Sequence, residues 1–99
     1  MEEQNTIKKT NYTCETQQNL MKVVEYLALD IWKPQTIDEI CKALDLSKNK
    51  VNWTLHNLEE KEWTEQVVGG WRISPKIIKI ADSVRRGFLD VFPKYLNKE

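Results

Sequence analysis

Four side chains with hydrogen-bonding edges crowd into nine positions of this chain: Asn49, Asn52, His56 and Asn57. An amide carries a donor and an acceptor side by side, the pattern that matches the edge of adenine in the major groove of DNA. At spacings of three and four these residues lie on or flank one face of a helix, with Trp53 among them. Just ahead stand Ser47, Lys48 and Lys50. A hydroxyl, two ammonium groups and the free amides of a helix start all suit phosphate. Three asparagines lower helix propensity, so helix stability is no reason for them to be there. A solvated helix face with an ordinary cap accounts for the same residues without a ligand, and Ser47 can serve both purposes. Trp53 has two readings: packing on a sugar–phosphate backbone or a thymine methyl, or burial against the first helix, the N-terminal tail or a partner subunit.

Other chemistry finds little support. His56 is the one histidine, with no second metal ligand at helical spacing and no nucleophile around which a catalytic pair could be assembled. Cys14 and Cys41 lack metal-ligand spacing, and there is no Gly-rich phosphate loop. The expectation is a protein that is not an enzyme, with no catalytic residues, no bound metal and no cofactor. The two unpaired cysteines and a polar N-terminus unlike a signal peptide point to the cytoplasm, and no apolar run approaches the roughly 20 residues of a membrane span.

The elements that must position these residues follow from periodicity. Residues 1–15 read as a mobile tail and 16–90 as one domain. Leu20, Val23, Val24, Leu27, Ala28 and Ile31 form the face of a first helix, expected to end near Trp32 because Pro34 disfavours helical geometry at Lys33. Thr36 and Glu39 make a capping box for a short second helix whose apolar face is Ile37, Ile40, Cys41 and Leu44. Ser47 caps a third, of about residues 48–61, with Val51, Thr54, Leu55 and Leu58 inward. A hairpin over residues 64–73 turns at Gly69-Gly70, pairing Val68 with Trp71 and Gln66 with Ile73 on one face and leaving Val67 and Arg72 on the other. From that outer face Arg72 can reach phosphate or the minor groove, while Trp63 and Trp71 are expected to pack rather than to stack on bases. Ser74-Pro75 opens a fourth helix striped by Ile77, Ile80, Ala81, Val84 and Phe88, weakened by Gly87 and broken at Phe92-Pro93. Residues 91–99 read as an extension whose Val91, Phe92, Tyr95 and Leu96 want a partner surface, so the chain is expected to be a homodimer.

Helix, short helix, turn, helix, hairpin, helix predicts an α+β, mostly α fold: a winged helix-turn-helix with a three-helix core, a two-stranded β-wing and a C-terminal helix. In such a fold the third helix enters the major groove. The expected partner is double-stranded DNA, read in sequence-specific fashion by a transcriptional regulator. The alternative is a winged helix used as a protein–protein adaptor in a replication, packaging or mobile-element assembly.

Residues 20–86 resemble the N-terminal DNA-binding domain of IclR-type bacterial transcription regulators. The similarity lies in Thr36-Ile37-Asp38-Glu39-Ile40, Leu46-Ser47-Lys48-Asn49-Lys50-Val51, Leu55-His56-Asn57-Leu58-Glu59-Glu60-Lys61 and the run Trp71-Arg72-Ile73-Ser74-Pro75-Lys76-Ile77-Ile78-Lys79-Ile80. The resemblance implies a winged helix that binds DNA as a dimer. The chain departs from the family in having Glu62 where a helix-capping Gly is usual and Trp53 where Arg is frequent. It also lacks the large ligand-sensing domain, so no small-molecule effector is expected. A small stand-alone regulator of the kind found on phages and mobile elements would fit.

Length and charge set the bounds. Ninety-nine residues, 40% hydrophobic and 30% charged, make one ordinary globular domain. Fifteen basic and fifteen acidic residues give a formal net charge of zero, which excludes a polycation that coats nucleic acid or membrane by charge alone. The zero is a cancellation. Glu59, Glu60, Glu62 and Glu65 make an acidic stretch, offset by Arg72, Lys76, Lys79, Arg85, Arg86, Lys94 and Lys98 further on.

Overall fold

The structure is a computed structural model that describes residues 12–96, with side chains as far as Val91. It is α+β and mostly helical, four helices and one antiparallel hairpin among the described residues. Helix α1 (Glu15–Ala28) buries Asn19, Val23 and Leu27, spaced four apart on one face. It stops earlier than the proline alone predicts. The Leu29 amide donates to the Tyr26 carbonyl at 3.2 Å, tightening the last turn. Asp30 then accepts from the Trp32 amide through its carboxylate (3.1 Å) and from the Lys33 amide through its carbonyl (3.3 Å). The chain has therefore turned before Pro34, and Ile31 and Trp32 are exposed instead of continuing the apolar face.

Helix α2 (Ile37–Leu44) opens on the expected capping box. Thr36 Oγ1 accepts from the Glu39 amide at 3.1 Å, and the Glu39 carboxylate accepts from the Thr36 amide at 2.9 Å. Ile40 is fully buried, with Ile37, Cys41 and Leu44 packed at its sides. After a left-handed Asp45, Ser47 caps α3 (Lys48–Glu60) by accepting from the Lys50 amide at 3.3 Å. Val51, Thr54, Leu55 and Leu58 are buried, the face that periodicity selects.

The end of α3 is closed even though Glu62 stands where a capping Gly is usual in the family it resembles. Glu62 itself takes the left-handed conformation, φ +63°. The Trp63 amide donates to the Leu58 carbonyl at 2.9 Å and the Glu62 amide to the Glu59 carbonyl at 2.8 Å. Those two bonds are the Schellman closure, formed here without glycine.

Strands β1 (Thr64–Val67) and β2 (Gly70–Ile73) pair Thr64 with Ile73, Glu65 with Arg72, Gln66 with Trp71 and Val67 with Gly70. The turn is therefore Val68-Gly69 rather than Gly69-Gly70. Gly69 has φ +98°, as the third residue of a type II turn requires. Gly70 must lie in the ladder because β2 continues against Gln35: a Cβ at Gly70 would sit 2.3 Å from the Gln35 carbonyl oxygen. The Gln35 and Trp71 backbones exchange bonds of 2.9 and 2.8 Å, adding a one-residue third strand. The pairing differs from the expected register by two residues, so Gln66, Trp71 and Ile73 keep their common face. Thr64 replaces Val68 there, and Val68 is 99% exposed at the tip.

Helix α4 (Pro75–Leu96) runs past Phe92-Pro93 instead of breaking there. Pro93 falls in the last turn, where its missing N–H forfeits a single backbone bond. Of α4, Ile77 packs on the core, which is built from Val23, Leu27, Ile40, Val51, Leu55, Leu58, Trp71 and Ile73. No described helix is long and apolar enough to cross a membrane. Residues 1–11 of the expected tail and residues 97–99, with the side chains of Phe92, Tyr95 and Leu96, lie outside the described residues.

Candidate nucleic-acid interface

Burial of one side of α3 fixes what the other side offers. Asn49, Lys50, Trp53, His56 and Asn57 are exposed and Asn52 is half-buried, so the expected cluster is brought onto one outward surface. Trp53 is 70% exposed, which removes burial against α1 as its role. Asn57 Nδ2 donates to the Trp53 carbonyl at 2.8 Å, one turn back along the helix. That leaves its side-chain oxygen available as an acceptor, and among the described residues the side-chain amides of Asn49 and Asn52 make no hydrogen bond.

Each cation of the cluster already faces an acid. Lys48 Nζ lies 3.5 Å from Asp38 of α2, with both side chains largely exposed. Lys50 donates to Glu15 at the start of α1. That ammonium, by its hydrogen bond and its charge, holds the Glu15 carboxyl below the usual carboxylate range, helped by a bond from Asn19. Arg72 Nε donates to Glu65, its partner across the hairpin, at 2.7 Å. The two lysine pairs are exposed and weak, so an incoming phosphate can take the cation from its acid, whereas the Arg72–Glu65 pair is half-buried. The surface that results is nearly neutral and rich in amides.

Ser47 sits at the start of α3 with its oxygen engaged by the Lys50 amide. Next to it Lys48 shares a shallow hollow with Asp38, Gln66, Gly69 and Gly70, so the beginning of α3 and the hairpin turn form one continuous edge. Arg72 is on the opposite side of the hairpin from Trp71, as alternation along the strand dictates. A second hollow lies between α1 and α3, lined by Glu15, Asn19, Lys50, Trp53 and Asn57.

Two features of the site escape sequence reasoning: what His56 packs against, and the part played by Asn19. His56 stands edge-on to the buried Trp71, ring centroids 5.1 Å apart at 86°, while its Nδ1 lies 3.1 Å from Glu59 Oε1. It therefore braces α3 against the hairpin, and no helical spacing within α3 announces that contact. Asn19, only 4% exposed, joins Glu15 at the rim of the second hollow. Its place four residues before Val23 was the available signal, masked by its polarity. Trp63 and Trp71 pack on or in the core as expected. Among the described residues no group of three or more His, Cys, Asp or Glu could hold a metal ion. In comparison with known proteins, no family model and no curated sequence matches the chain.

Proposed function

We propose that this chain is a winged helix-turn-helix protein that binds double-stranded DNA in sequence-specific fashion and regulates transcription. The observation that carries the reading is the outward surface of α3: Asn49, Asn52, Trp53, His56 and Asn57 presented together by a helix whose opposite side is locked into the core. The order α1, Gln35 bridge, α2, α3, hairpin, α4 supports it, because it is compatible with a winged-helix layout. On this reading α3 enters the major groove by its Ser47 end. The Asn49 and Asn52 amides read base edges, and the Asn57 carbonyl oxygen accepts from them. Trp53 packs on the sugar–phosphate backbone or a thymine methyl, and His56 lies among them. Lys48, Lys50 and Arg72 exchange their intramolecular acids for phosphates. Glu59, Glu60 and Glu62 lie at the far end of α3, away from the groove.

A second reading is a winged-helix adaptor that binds protein. It is favoured by the pairing of Lys48, Lys50 and Arg72 with acids and by the exposure of Trp53, features of a neutral docking surface. Titration of the chain against duplexes selected from a random pool, at several salt concentrations, separates the two. The DNA reading expects submicromolar binding at low salt that weakens as salt rises, through release of counterions from a few phosphates. Binding no tighter than millimolar, or indifferent to salt, leaves the adaptor.

A further inference from the structure

Helix α4 is long for what it packs against. Only Ile77 of its first turn meets the core, and the radius of gyration of 17.9 Å exceeds the roughly 13 Å of a compact 100-residue domain because the helix projects. Along α4, apolar residues recur at Ile77, Ala81, Val84, Phe88, Val91 and Tyr95, spacings of four, three, four, three and four, and all but Ile77 lie beyond its contact with the core. That is a coiled-coil seam. Val84, Phe88 and Val91 are each about half exposed. The positions opposite the seam hold Lys79 and Arg86, and Asp82 is engaged by Arg85 (2.8 Å) and Arg86 (3.1 Å).

We propose that α4 pairs with α4 of a second copy of this chain, antiparallel, with the two-fold axis crossing the seam at the level of Arg86. An antiparallel seam sets each first-type position against a second-type one. About that midpoint the small Ala81 meets the partner's Val91 and Val84 meets the partner's Phe88, and the same two layers repeat on the other side of the axis. Charge selects the direction. Residues 75–86 of the helix carry Lys76, Lys79, Arg85 and Arg86 against Asp82 alone, whereas residues 87–96 balance Lys94 against Asp90. A parallel pair sets the two cationic halves side by side; an antiparallel pair sets each against a neutral half. Gly87 fits the same arrangement. It weakens the helix, and a Cβ there would meet nothing within 4 Å in the monomer, but beside the axis it lets the two backbones approach.

The geometry has a consequence that rests on the DNA reading above. Pro75 lies eleven residues from the midpoint, so the two Pro75 stand about 33 Å apart along the axis at 1.5 Å per residue. One turn of B-form DNA is about 34 Å, so the points from which the two heads extend are spaced on the order of one helical turn.

Sedimentation equilibrium of the full chain at micromolar concentrations should give a dimer, and the Val84→Asp, Phe88→Asp double variant a monomer. The near-ultraviolet tryptophan signal of that variant should be unchanged, because the head remains folded. Direction is read by cross-linking in a Cys14→Ser, Cys41→Ala background. Oxidation of Ala81→Cys mixed with Val91→Cys should join the two variants, while neither should join to itself. A monomeric wild-type chain, or a dimer that survives the double variant, overturns the pairing; self-joining of each cysteine variant overturns its antiparallel direction. A dimer that passes these tests yet binds no DNA overturns the DNA reading and leaves the pairing in place.

Discussion

Lys50 and Glu15 show how a single side chain can moderate the candidate interface. Glu15 is exposed, yet its carboxyl is held below the ordinary carboxylate range because Lys50 donates to it and carries the opposite charge. A group whose folded pKa is lowered adds its small stabilisation above the unfolded carboxylate range and loses it as pH falls through the folded value. Acid therefore releases Lys50. The Glu15→Gln variant does the same at neutral pH, and its DNA affinity, measured by fluorescence anisotropy, should rise about two- to fivefold, the scale of one exposed ion pair. Unchanged affinity would mean that Lys50 contacts no phosphate. Glu62 belongs to the same scale. A non-glycine residue in left-handed geometry costs about 1 kcal/mol, so Glu62→Gly should raise the denaturant midpoint by a corresponding amount without altering the fold. The outward cluster on α3 was legible from residue type and spacing, since a 100° step needs no knowledge of the rest of the chain. The acids that pair with it were not, because Glu15 and Asp38 approach Lys50 and Lys48 only through the packing of three helices.

Elements are set by local signals where those signals are strong. The Thr36–Glu39 box and the Ser47 cap place the starts of α2 and α3 to the residue. The end of α1 follows instead from a turn closed by Asp30, and the hairpin register from a contact with a segment far earlier in the chain. Asp30 turns the backbone before Pro34, and Gly70 is drawn into the ladder by Gln35, which no reading of Val68-Gly69-Gly70 alone could supply. The approach at Gly70 makes a sharp prediction. A Gly70→Ala methyl would meet the Gln35 carbonyl at 2.3 Å on a backbone of φ +141°, and the variant should lose about 3 kcal/mol of unfolding free energy in urea. Gly87→Ala, at a helical position with open space, should stabilise the isolated helix by a part of the roughly 1 kcal/mol that glycine costs there. A loss at Gly70 no larger than at an ordinary surface site would mean that the Gln35 bridge is absent.

At the scale of the whole molecule, net neutrality takes a structural form. The cations at the start of α3 and on the hairpin are matched one for one by Asp38, Glu15 and Glu65, so long-range attraction to DNA is modest. Affinity on the proposed reading then depends more on amide and aromatic contacts than on charge, and specificity should be high relative to nonspecific binding. The mostly helical α+β class and the single core were legible from sequence because each apolar stripe matched one element. What the stripes could not show was that the stripe of α4 lies largely outside that core. The proposed function is tested most directly by competition between a selected duplex and a scrambled duplex of the same composition for the wild-type chain and for Asn52→Ala. The account predicts a wild-type preference of about 1,000-fold or more for the selected duplex, reduced by roughly 5- to 150-fold in Asn52→Ala while scrambled binding is unchanged. Equal affinity of the wild-type chain for both duplexes, or no binding to either, would contradict it.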